Sequence, residues 1–140
     1  MPISHDDFLA IAKDAITHNG EIWIRNAISR SYYSLFHSTL RITEGRIPER
    51  DDNGDRLPGG IHQRLSDCLC NGSAADEFGL DKQEIKMIGL ALRTAHHRRV
   101  TADYKLHKRI NKIDAISLIQ SAQETTKKID GLLSIKLNAS

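Results

Sequence analysis

Arginine, histidine and tyrosine side chains are concentrated in two stretches of the sequence. The first is RSYYSLFH, residues 30–37, in which Arg30 and His37 are seven residues apart. That spacing is about two helical turns, so both would share one face of a helix. The second is RTAHHRRVTADYKLHKR, residues 93–109, with three histidines. Each stretch is a candidate for chemistry, and ordinary helix packing is the alternative use of the same residues.

Proton transfer beside a phosphate is the chemistry that such residues could perform. Metal-independent cleavage of RNA needs a base near the 2′-hydroxyl and a cation near the scissile phosphate. Arg93 and His97 are four residues apart on one predicted helical face and could supply both groups. Dependence on the 2′-hydroxyl would confine such a site to RNA. Solvent-facing residues on a basic helix are the other interpretation of this pair.

Positive charge is segregated in the second stretch. It contains six Lys or Arg residues against one acid, Asp103, and so carries +5, whereas the whole chain carries +2 and the remainder −3. Cations at this density are what phosphate binding requires. A solvated helix end, with cations that suit the helix dipole, would give the same pattern. The predicted RNA- or phosphate-binding residues are Arg93, His96, Arg98, Arg99, Lys105 and Lys108.

Metal, cofactor and disulfide chemistry are not predicted. Cys68 and Cys70 are too close for an ordinary disulfide, and with His62 they lack the second half of a zinc motif. His96 and His97 are adjacent and cannot both point to one face of a helix. No glycine-rich phosphate loop occurs. We therefore expect reduced thiols, a cytoplasmic location and no cofactor.

Length and hydropathy indicate one domain of residues 1–140 without a membrane segment. A chain of 140 residues is the usual size of a single domain. It contains no run of 18 apolar residues, which a membrane span would need. The N-terminus, MPISHDDFLA, lacks the basic and apolar regions of a secretory signal.

Capping signals and apolar periodicity predict five helices in an all-α, antiparallel bundle. Ser4 with Asp7 and Asp81 with Glu84 are capping-box pairs, and Asn111 opens the last helix. The predicted helices span about residues 4–18, 21–44, 61–70, 81 to 104 or 106, and 111 onward. Glycine and proline make 46–60 a long internal loop, and 71–80 is predicted to be a second connection. The predicted core stripes are Ile24, Ile28, Tyr32, Leu35 and Phe36 in the second helix, and Ala115, Leu118, Ile119, Ala122, Thr126, Ile129 and Leu133 in the last.

Two motifs resemble those of HEPN domains. AISRSYYSLFHSTL, residues 27–40, is similar to the second-helix signature of the family, and RRVTADY, residues 98–104, is similar to its later Arg-x-x-x-Asp-Tyr element. The order of the motifs, their separation and the closing amphipathic helix also fit. The signature residues by this resemblance are Arg30, Tyr32, Tyr33, His37, Asp103 and Tyr104.

The resemblance implies a small, usually dimeric helical bundle associated with RNA. Many HEPN domains are metal-independent endoribonucleases of toxin–antitoxin, CRISPR-associated or phage-defence systems, and their late arginine and histidine meet across a dimer cleft. By this resemblance Arg99 is the late arginine, assisted by His96, His97 or His107. Other members lack the catalytic motif and bind nucleotides or protein partners.

Three functions stay open on the sequence. Active members have four to six residues between the arginine and histidine, whereas Arg99 and His107 have seven between them. Arg30 and His37, with six between them, have the family spacing, but they lie in the second helix. The chain is predicted to be an endoribonuclease, a non-catalytic module that binds nucleotide, RNA or a partner from its operon, or an antitoxin with a basic face.

Overall fold

The computed structural model describes residues 2–139, and this part of the chain folds into a bundle of six α-helices. The helices are α1 (His5–Ala15), α2 (Glu21–Leu40), α3 (Ile61–Cys70), α4 (Ser73–Phe78), α5 (Lys82–Tyr104) and α6 (Lys112–Ala139). Residues 1 and 140, the ends of the predicted domain, lie outside the described residues. Among the helices described, none combines the length and apolar character that crossing a bilayer requires.

Helix α2 is the centre of the bundle. It packs against α1, α5 and α6, and it therefore buries more than one face. Its apolar stripe is buried as predicted at Ile28, Tyr32 and Leu35, and Ile24 is half-buried at the edge of the core. Between these residues the helix buries serines, whose small side chains let neighbouring helices approach closely. The buried serines are Ser29, Ser31, Ser34 and Ser38.

The prediction of five helices was wrong by one, because α4 lies within the stretch predicted to be a connection. This helix has only six residues and is too short to show apolar periodicity in the sequence. Gly72 and Gly79 flank it in left-handed conformations, with φ of 89° and 66°. Ala74, Ala75 and Phe78 are buried, so burial of side chains stabilises this turn and a half.

Helix α2 ends at Leu40, four residues earlier than predicted. Residues 41–45 form turns instead, and the Gly45 N–H donates to the Leu40 carbonyl at 2.8 Å. Glu44 has a φ of 55° and Gly45 a φ of 79°, a left-handed pair that stops the helix. Arg41 then donates to Asp130 of α6 at 2.6 Å, which ties the end of α2 to the last helix.

The predicted caps of α1 and α5 are present, in full at α1 and in one direction at α5, and the last-helix seam is confirmed. Ser4 and Asp7 make a complete capping box, and the Asp81 side chain accepts from the Glu84 N–H at 2.9 Å. In α6 every predicted seam residue is buried except Leu133, which is half-buried.

The 46–60 segment is a loop, as predicted, with hydrogen bonds of its own. A hairpin turn brings Arg50 and Arg56 together in an isolated bridge. The Asp51 carboxylate accepts from the N–H groups of Asn53 and Asp55, both at 2.9 Å. Arg64 of α3 donates to the Pro48 carbonyl at 2.8 Å and attaches the start of the loop to the bundle.

Candidate nucleic-acid interface

A cavity of about 620 Å³ lies between the outer face of α5 and the segment that leads into α6. We call it the basic cleft, because cations predominate among its polar side chains. The lining residues that carry charge or could carry it are Arg93, His97, Arg98, Lys108, Arg109 and Asp114. Ile28, Thr94, Thr101 and Ile110 complete the wall.

Helical spacing places the cleft residues of α5. Arg93, His97 and Thr101 follow one another at intervals of four residues and so lie in a row on one face. Arg93 pairs with Asp67 of α3 at 3.0 Å, and Arg98 pairs with Asp114 of α6 at 3.5 Å. Both ion pairs are substantially exposed, so they are weak and can exchange for other anions.

Lys108 and Arg109 are the cations of the cleft that lack an acidic partner. Both are exposed, and no carboxylate of the described residues lies within 4.0 Å of either side chain. They come from the loop between α5 and α6, opposite the row on α5. The cleft therefore presents cations from two separate segments to whatever enters it.

Arg25 holds this loop in place and was not predicted. Its side chain is 6% exposed, and its guanidinium donates to backbone carbonyls at the end of α5 and in the loop beyond. Those carbonyls belong to Thr101 at 3.3 Å, Ala102 at 2.9 Å, Lys105 and Leu106 at 3.4 Å each, and Lys108. Such bonds satisfy carbonyls that the end of a helix leaves unpaired. Glu21, one turn before Arg25, accepts from the Ile110 N–H at 2.7 Å and fixes the other end of the loop.

Arg99 lies on a different face of α5 and does not line the basic cleft. It is 7% exposed and packs its guanidinium over the rings of Tyr32, Tyr33 and Tyr104, 5.4–5.7 Å from their centroids. Asp103 lies 3.6 Å from it, and the Tyr33 hydroxyl accepts a hydrogen bond from it at 3.4 Å. Its Nε is buried without a hydrogen-bond partner among the described residues. Arg99 is thus enclosed by aromatic rings and one carboxylate.

His96 belongs to the same side of α5 and stacks on His62 of α3. Their ring centroids are 4.9 Å apart with an interplanar angle of 14°. His62 shares a hydrogen bond through Nδ1 with the Tyr32 hydroxyl, and Nδ1 of His96 is buried without a partner among the described residues. We call these three rings, with Arg99, the His–Tyr cluster.

The His–Tyr cluster is built to remain uncharged apart from Arg99. Burial lowers the pKa of His62, and the nearby His96 and Arg99 lower it further. Burial also lowers the pKa of His96, with Arg99 and His97 adding to the effect. Burial raises the pKa of the Tyr32 hydroxyl, against the opposite effect of Arg99. At neutral pH both histidines are therefore neutral and can pack against the arginine.

The predicted site residues are consequently distributed over two faces of α5. Arg93, His97, Arg98 and Lys108 meet at the basic cleft, whereas Arg99 and His96 join the His–Tyr cluster. His107 is exposed and lines neither, and Lys105 is half-buried with its carbonyl bonded to Arg25. Their predicted roles in catalysis and phosphate binding stay predictions.

The signature residues of α2 serve packing, and Arg30 and His37 contact the neighbouring Tyr33 and Phe8 rings at its surface. Tyr32 is fully buried, and Tyr33 is half-buried against Phe8 of α1 at 6.2 Å between ring centroids. Arg30 lies 5.9 Å from the centre of the Tyr33 ring, and His37 stacks on Phe8 at 5.1 Å. Asp103 accepts from the Ser29 hydroxyl at 3.1 Å and so links α5 to α2.

Two residues that position these sites were overlooked in the sequence. Arg25 carried a signal, since it follows Ile24 and precedes Ile28 on a stripe that is otherwise apolar, and a cation there must be paired when buried. His62 carried none, because its partners are 26 or more residues away in the chain. Among the residues described, no group of three His, Cys, Asp or Glu side chains is arranged to hold a metal ion.

No protein-family model matches this sequence. No curated protein is significantly similar to it. The assignment of a function therefore depends on the geometry of the chain itself.

Proposed function

We propose that this protein binds RNA through the basic cleft, as an RNA-associated member of the HEPN group from a toxin–antitoxin or phage-defence system. The observation that carries the proposal is the convergence of Arg93, Arg98, Lys108 and Arg109 on one cavity that contains a single carboxylate, Asp114. The two HEPN-like motifs support the family assignment.

The electrostatics of the cleft suit a phosphate backbone. Lys108 and Arg109 have no acidic partner among residues 2–139 to displace, so a phosphate gains their attraction without first breaking an ion pair. Arg93 and Arg98 are bound only to exposed carboxylates, which solvent already screens. Guanidinium groups can then give phosphate oxygens charge-assisted, bidentate hydrogen bonds.

Binding, rather than cleavage, is the activity that we propose for the cleft. A catalytic arginine must reach the scissile phosphate, whereas Arg99 is 7% exposed and lies beside Asp103 at 3.6 Å. His97 remains available in the cleft, but no second histidine is among the described residues that line it. Homodimer formation and a protein partner from the same operon stay predictions.

The salt dependence of RNA binding tests the proposal. We expect the affinity for a single-stranded oligonucleotide to fall with salt, and Lys108→Ala or Arg109→Ala to reduce the slope of log K against log[salt] by about 0.7 each. Lys127→Ala is the matched control, because Lys127 is an exposed lysine on α6 about 20 Å along the helix from Asp114. Equal slopes for all three variants would refute the basic cleft as the binding site.

Incubation with RNA in EDTA tests the alternative of cleavage. The proposal predicts intact RNA after incubation with wild-type protein. Cleavage that persists in EDTA and disappears in Arg99→Ala or His97→Ala would replace the binding module with a metal-independent endoribonuclease.

A further inference from the structure

Tyr104 is the most exposed aromatic side chain among residues 2–139. It is 70% exposed, although aromatic rings are normally used to fill cores. Trp23, the next, is 39% exposed and already stacks on the ring of His18 at 4.4 Å between centroids. An open tyrosine ring in a chain with only seven Phe, Trp and Tyr residues needs a reason.

The ring of Tyr104 is supported on one side by a fixed cation. The Arg99 guanidinium lies 5.7 Å from the ring centroid, and Arg99 itself is held by Asp103 and by the Tyr33 hydroxyl. Because Arg99 is buried, it cannot follow the tyrosine into solvent. A ring that rests on a buried guanidinium loses less side-chain entropy on binding than a free tyrosine would.

Tyr104 is not one of the residues that line the basic cleft, but the chain passes from the cleft through Tyr104 and back to it. Tyr104 is the last residue of α5, three residues after Thr101, which lines the cleft, and residues three apart on a helix are neighbours at about 5–6 Å between their Cβ atoms. The loop that begins immediately after it returns Lys108 and Arg109 to the cleft. The Arg25 bonds to carbonyls on both sides of Tyr104 fix this arrangement.

We propose that Tyr104 stacks on a nucleobase of single-stranded RNA whose phosphates occupy the basic cleft. The proposal rests on the proposed function and adds to it the form of the RNA. Bases stack on aromatic side chains regardless of sequence, and proteins that hold single strands combine such rings with a cationic groove. A duplex keeps its bases stacked on one another and cannot offer one to Tyr104. The protein therefore prefers single-stranded RNA without reading its sequence.

An abasic oligonucleotide separates the two parts of the proposal. Fluorescence anisotropy compares a labelled uridine 12-mer with a 12-mer of the same ribose-phosphate backbone that lacks bases. We expect Tyr104→Ala to weaken binding of the uridine 12-mer about 5- to 150-fold, from the usual contribution of one stacked base, and to leave the abasic 12-mer within about twofold of wild type. Tyr104→Phe retains the ring and the affinity. Tyr104→Leu retains apolar bulk without a ring and weakens binding as alanine does.

Each outcome bears on one part of the proposal. If Lys108→Ala weakens both oligonucleotides but Tyr104→Ala and Tyr104→Leu weaken neither, RNA binding stands and stacking is overturned. If the Tyr104 variants weaken both oligonucleotides equally, the tyrosine supports the fold and stacking is again overturned. If wild-type protein binds neither oligonucleotide, the proposed function fails and stacking fails with it.

Discussion

Replacement of Arg25 by alanine tests how the loop of the basic cleft is held. The guanidinium donates to five backbone carbonyls from within the bundle, and the bond to Ala102 is buried. In Arg25→Ala the Thr101 and Lys105 carbonyls keep backbone donors, whereas the buried Ala102 carbonyl loses the arginine as a donor. We expect the end of α5 and the residues after it to open locally.

The expected loss of stability in Arg25→Ala can be derived from the hydrogen bonds of good geometry. Hydrogen bonds to charged groups contribute about 1.5–3 kcal/mol each when buried. Only the bonds to Ala102, at 2.9 Å, and to Lys108 are short, and the second is partly exposed. One full and one reduced contribution give a loss of about 3 kcal/mol in the free energy of unfolding. For a chain of 140 residues that is a decrease of roughly 10 °C in Tm.

Urea denaturation and amide hydrogen exchange measure the two effects. Arg25→Lys retains the charge but cannot span several carbonyls, so its loss is intermediate. Arg30→Ala is the control on the same helix, because Arg30 is half-buried and its ring contact with Tyr33 contributes about 1 kcal/mol or less. Amides of residues 105–110 should exchange faster in Arg25→Ala alone.

A small loss in Arg25→Ala would refute this reasoning. If the free energy of unfolding changes by less than about 1 kcal/mol and the 105–110 amides keep their protection, the loop is held by other contacts. The salt slope of RNA binding would then also be unaffected by this variant.

Three further outcomes follow from buried groups. Because burial lowers the pKa of His62 and of His96, the unfolded chain binds protons more readily than the folded one, and the free energy of unfolding falls as pH drops below about 6.5. In urea titrations from pH 7 to 5, this fall should be shallower when both histidines are replaced by glutamine. An unchanged fall would show that the pH dependence has another origin. Gly89→Ala should lower the free energy of unfolding by about 1–3 kcal/mol in a thermal or urea melt, because the added Cβ would lie 2.7–3.0 Å from atoms of α3. Gly131→Ala is the control: open space surrounds Gly131, so this variant should be neutral or stabilising. Burial raises the pKa of the Cys68 thiol to about 11. In a variant that lacks Cys70, the Cys68 thiol should therefore react with Ellman's reagent only after denaturation. Prompt reaction of the folded variant at pH 8 would show that the thiol is accessible.

Local signals accounted for most of the fold. Helix starts were predictable where a side chain caps the backbone a few residues away, as with Ser4 and Asp81. Burial was predictable where apolar residues recur at helical spacing, as in α6. Helix α4 was not predicted, because two left-handed glycines and three buried side chains stabilise it. Neither feature produces a periodic pattern that can be recognised in six residues.

The candidate site was less predictable, because its contacts are distant in sequence. The charge of residues 93–109 indicated an anion-binding surface, and α5 places Arg93 and His97 on one cleft as their spacing predicted. Helical spacing places Arg99 on the side of α5 opposite His97 and Thr101, but it could not identify the residues of α2 that receive the side chain there. The carbonyls that accept from Arg25 are 76 or more residues away, so only the tertiary fold reveals its role.

The hairpin within the 46–60 loop is a site at which additional residues can be inserted into this protein. Its hydrogen bonds join Glu49 to Leu57 and Asp51 to Asp55, so the turn closes on itself rather than on the bundle. Asn53 and Gly54 at its tip are exposed. Each doubling of loop length costs only about 0.6 kcal/mol in closure entropy. An affinity tag or a dye attached at this tip would report on the protein without touching a bond that the helices use.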